Sequence, residues 1–103
     1  MKKIGLVAKI QENIDVNKEG LRELKDKLST ILEQHYDLTS SGDINSSDYV
    51  KVFDKYYSVK KKYGERMVRS FHRKIRTYLN LISVVEGNIE LYENRIKELD
   101  KFN

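Results

Sequence analysis

The chain has 103 residues, 39% of them hydrophobic and 35% charged, with 20 Lys and Arg against 16 Asp and Glu for a net charge of +4. That length holds one domain, and so lean an apolar fraction suits long helices burying one seam better than a globule with a thick core. The lack of cysteine excludes disulfides, zinc–thiolate sites and thiol catalysis, and the lack of proline leaves helices uninterrupted.

At the N-terminus, Lys2 and Lys3 precede the five-residue stretch Ile4-Gly5-Leu6-Val7-Ala8, shorter than the ~7–15 apolar residues of a signal peptide. No window approaches the ~18 apolar residues of a membrane span. The chain is therefore read as soluble and cytoplasmic, with leaderless export as the alternative.

The first predicted element is a helix from about Ile4 to Tyr36. Val7, Ile10, Ile14, Asn17, Leu21, Leu24, Leu28, Ile31, His35 and Leu38 alternate by three and four. Such a spacing keeps one side of a helix against a neighbour over many turns, as in a coiled coil. The phase survives Gly20, so the helix is kept whole although glycine costs about 1 kcal/mol there relative to alanine. Asn17, a polar residue within the seam, reads as a device that fixes register.

A loop follows at about 37–47, rich in Ser, Asp and Asn, residues whose side chains compete for the backbone. Asn45 or Ser46 would cap the next helix, with Asp48 in its first turn. Asp43–Asp54 partly resembles a calcium loop, but Asp48 stands where the turn glycine belongs and Asp54 where a bidentate glutamate belongs. A plain loop and cap is the better reading, and no metal or cofactor is expected.

The second predicted helix runs from about 48 to 102, with a kink or a break near Gly64. Lys60, Lys61 and Lys62 before Gly64 have the composition of a helix end. Tyr63, Met67, Phe71 and Ile75 then fall four apart, a stutter, before strict heptads resume at Ile75, Tyr78, Ile82, Val85, Ile89, Tyr92, Ile96 and Leu99. The predicted fold is all-α, a single domain over 1–103. It is a long antiparallel helical hairpin or coiled coil that completes a bundle by oligomerisation or by a kink near Gly64.

At ~1.5 Å per residue the first helix is about 50 Å long, and an unbroken second helix would be about 80 Å. A simple hairpin would then leave Ile82, Val85, Ile89, Tyr92, Ile96 and Leu99 uncovered, so these are the predicted partner-binding seam. With Val7 and Ile75 at heptad position a, Lys18 and Lys25 fall at e in the first helix and Glu86, Glu93 and Asp100 at e in the last. In antiparallel helices e faces e, and the attraction is assigned to pairing between chains. The expected partner is a protein, in a homo-oligomer or a hetero-oligomer.

Chemistry concentrates in 55–76, where nine cations face Glu65 alone for a net +8. Lys62, Arg66, Arg69, Arg73 and Arg76 form the basic stripe, with Tyr56, Tyr57, Tyr63 and Phe71 interleaved. Guanidinium forks suit phosphate and carboxylate, and aromatic rings stack on bases. Competing with that is a solvated face, or one complementary to Glu12, Glu19, Asp26 and Glu33 on the outside of the first helix. His35 falls in the seam and reads as packing, while His72, among cations, would be hard to protonate. With no catalytic residue set, the expected function is a non-enzymatic helical interaction protein, an adaptor, chaperone or assembly subunit. The alternative is a nucleic-acid-binding accessory protein using helix 55–76. A small secreted helical-hairpin partner of a bacterial secretion system and an immunity protein also fit a chain of this size.

Overall fold

A computed structural model describes residues 2–38 and 46–101, with side chains at 5–38 and 50–101. Its elements are α1 (Lys2–Tyr36), α2 (Ser46–Asp54), α3 (Tyr56–Tyr63) and α4 (Glu65–Asp100). The two long helices pack against each other as an all-α helical hairpin. No helix among the described residues is long and apolar enough to cross a membrane.

Each helix end has a local cause. α1 passes through Gly20 unbroken and stops where Asp37 takes φ of +52°. The Leu38 amide then donates to the Leu32 carbonyl, six residues back, at 3.1 Å, and aspartate holds the left-handed position after the helix that glycine usually takes. α2 and α3 are separated at Lys55, whose amide turns back to the Val52 carbonyl at 3.2 Å. No glycine or proline marks that break. Gly64 parts α3 from α4 with φ 89° and ψ 161°, a conformation essentially reserved to glycine. Its amide closes α3 on the Lys60 carbonyl at 2.8 Å, and its own carbonyl accepts from the Val68 amide.

These breaks correct the length argument. The chain from Ser46 onward is not one 80 Å rod: two short helices precede a fresh start at Glu65, leaving α4 with 36 residues beside the 35 of α1. The chain falls into two compact units, residues 1–23 with 83–103 and residues 24–82. In the first, Ile10, Ile14 and Ile89 form a buried cluster, with Leu21, Val85, Tyr92, Ile96 and Leu99 packed against it. The 24–82 unit buries Leu28, Leu32 and Tyr36 of α1, Val52 of α2, Val59 of α3, and Val68, Phe71, Ile75 and Ile82 of α4. Leu32 and Tyr36 lie off the heptad seam, so α1 buries a broader stripe here than a two-helix contact needs.

The stutter is corrected as well. Val68 is fully buried whereas Met67 is 51% exposed. The α4 seam therefore reads Val68, Phe71, Ile75, Tyr78, Ile82, Val85, Ile89, Tyr92, Ile96, Leu99, an unbroken three-four alternation from the first turn. Most of the predicted 37–47 loop, with Asp43 and Asn45 of the calcium-like segment, lies outside the described residues. Ser46–Asp54 is helix, which removes the loop backbone such a site requires.

Candidate functional site

Two surfaces carry the residues that matter, one on each unit. The first is a flank of the 1–23/83–103 unit. Every member of the predicted partner-binding seam is packed within the chain: Ile82 and Ile89 are buried, and Val85, Tyr92, Ile96 and Leu99 lie against the Ile10–Ile14–Ile89 cluster. The expectation that this seam is uncovered is corrected, because α4 begins at Glu65 and meets α1 inside one chain. Lys18, Glu86 and Glu93 belong to the same unit. Asn17 donates to the backbone carbonyl of Asn13 at 2.7 Å, so its amide is satisfied by its own helix.

Filling the seam leaves two sides of the pair. In an antiparallel arrangement the e positions of both helices border one side and the g positions the other. The e side carries Lys18, Glu86, Glu93 and Asp100. The g and c positions carry Leu6 and Val16 of α1 and Val84 and Leu91 of α4. These four aliphatic side chains are exposed, Val16, Val84 and Leu91 by 60% or more. A Cβ at Gly20, another g position, would meet nothing within 4 Å. Among the described side chains, the charges on this side are Lys9 and Arg95 against Glu23 and Glu98. Heptad assignment alone could have found this flank, but attention to the a/d seam hides it.

The second surface belongs to the 24–82 unit, a cleft of about 290 Å³ lined by Tyr56, Arg69, His72, Arg73 and Arg76. The three arginines project from one outer stripe of α4, which continues to Arg66, and α3 contributes Tyr56. Lys62, at the end of α3, lies with its Nζ 5.3 Å from the centre of the Tyr63 ring. Arg69 donates to Glu65 at 2.9 Å. Among the described residues, Arg66, Arg73 and Arg76 have no carboxylate within ion-pair distance. Glu19–Arg22, Glu65–Arg69 and Arg95–Glu98 are each confined to one helix, and none of these pairs joins the acidic outer stripe of α1 to the arginines.

Behind the cleft lies an aromatic cluster that includes both histidines. His35 stacks on Phe71 with centroids 4.1 Å apart and meets the Tyr63 ring edge-on. His72 is surrounded by Tyr36, Phe53 and Tyr56 at 5.2–6.5 Å between centroids. Burial holds the His72 imidazole below its ordinary value. The direction agrees with the sequence expectation, but the cause is lost hydration rather than neighbouring cations. Phe53 and Tyr57 remain 65% and 79% exposed beside this cluster. Comparison with protein families, curated proteins and solved structures finds no match.

Proposed function

We propose that this chain is a non-enzymatic helical assembly subunit that docks a second copy of itself along the Leu6, Val16, Val84 and Leu91 flank. The observation that carries the reading is the exposure of these four aliphatic side chains on one side of a pair whose seam is already filled. Exposed apolar groups gathered on one face are the usual mark of an interaction surface. The opposite charges of Lys9 and Glu23 on that side favour self-association. A two-fold axis through Val16 would set Lys9 of one copy against Glu23 of the other, one heptad to either side of it. Symmetric dimers of this kind are the commonest oligomers. Both histidines sit among packed rings, which supports a binding rather than a catalytic role.

The absence of native cysteine makes the test direct. Val16→Cys, placed on the axis, should oxidise to a cross-linked dimer, while Glu12→Cys on the outer face should not. Cα atoms more than ~7 Å apart cannot be bridged without backbone movement. Failure of Val16→Cys to cross-link, or equal cross-linking by both variants, would contradict the reading.

A further inference from the structure

The arginine-lined cleft is a separate surface, and its chemistry is independent of self-association. Arg66, Arg73 and Arg76 present guanidinium groups without a carboxylate partner among the described residues, and Arg69 has only the exposed Glu65. The stripe from Arg66 to Arg76 extends about 15 Å along the helix axis. That exceeds what a single phosphate needs and matches a chain of them. The cleft is also walled by Tyr56, whose ring neighbours the exposed rings of Phe53 and Tyr57. Phe53 is tilted 27° from the Tyr56 plane and Tyr57 stands edge-on to Tyr56, so Phe53 and Tyr57 offer two separate exposed ring faces next to Tyr56.

We propose that this cleft binds single-stranded nucleic acid, with phosphates along Arg66, Arg69, Arg73 and Arg76 and bases stacked on Phe53 and Tyr57. Arginine stripes alone would serve any polyanion. The exposed rings select a strand whose bases are free, because the bases of a duplex are already stacked on each other. Sequence preference is weak, since stacking and phosphate contacts read no base edges.

The test is fluorescence anisotropy with labelled (dT)12, a 12-base-pair duplex and poly-glutamate, between 20 and 200 mM salt. The strand should bind most tightly, and its log affinity should fall with log salt at a slope of roughly −2 to −3, about −0.7 for each of three or four phosphate contacts. Phe53→Ala and Tyr57→Ala change exposed side chains, so the fold should survive, as circular dichroism would show. Each should weaken strand binding by about 5- to 100-fold. Arg73→Ala with Arg76→Ala should flatten the salt slope by about 1.4. Duplex bound as tightly as the strand, with the ring variants silent, would overturn the inference. So would poly-glutamate bound as tightly as (dT)12, which would make the cleft a dock for acidic protein, or no binding at 20 mM salt.

Discussion

Three backbone positions and one imidazole show how single residues shape this molecule. Gly64 has open space where a Cβ would go, yet its φ of 89° with ψ 161° strains any other residue. Gly64→Ala should therefore destabilise the chain by about 1–3 kcal/mol. Gly20 lies inside α1 with equal room, and Gly20→Ala should stabilise it by up to about 1 kcal/mol. Denaturant melts that moved both variants in the same direction would contradict this account of the two glycines. Asp37→Gly should also stabilise, by about 0.5–1 kcal/mol, as relief of the left-handed strain outweighs the added freedom of the unfolded chain. His72 adds a pH dependence. Its folded value is depressed by burial, so the unfolded chain takes up a proton at higher pH than the folded one. The stability it contributes is complete above its unfolded value near 6.5 and is lost as pH falls through that value toward the folded one. Melting temperatures between pH 7.5 and 5.5 should decline on acidification, and less so in His72→Gln. An equal decline in both proteins would show that the imidazole plays no part.

Among the helices, burial follows heptad phase wherever the sequence keeps it. All the seam positions of α1 from Val7 to Leu38 are buried or half-buried, and those of α4 from Ile75 onward behave alike. This much was legible because a period of 3.5 leaves the same face inward over many turns. What escaped sequence reading has specific causes. Met67 and Val68 are adjacent and both apolar, so spacing alone allows either into the seam, and the break at Gly64 decides for Val68 by restarting the helix. The Asp54-Lys55-Tyr56 break carries no glycine or proline signal. The cleft was half legible: its arginines repeat visibly along α4, but the approach of Tyr56 depends on the turn at Lys55. Val68→Ala and Met67→Ala test the register. The first should cost about 1.5–3 kcal/mol, the scale of a buried valine, and the second well under 1 kcal/mol. Comparable losses would put the stutter back.

For the molecule as a whole, the central claim is that the α1–α4 seam closes within one chain and that the outer flank of the 1–23/83–103 unit then joins two copies. Ile10, Ile14 and Ile89 are buried without any second chain, so association should depend on Val84 and Leu91 rather than on the seam. Val84→Ser combined with Leu91→Ser should leave helix content unchanged while removing association, because both side chains are exposed in the single chain. The most direct measurement is light scattering on a size-exclusion column over a tenfold concentration range, at low and at moderate salt. The account predicts a mass twice the 12.2 kDa of the chain for the native sequence, and a single-chain mass for the double variant. A native sequence that stays at the single-chain mass across the whole range would contradict it.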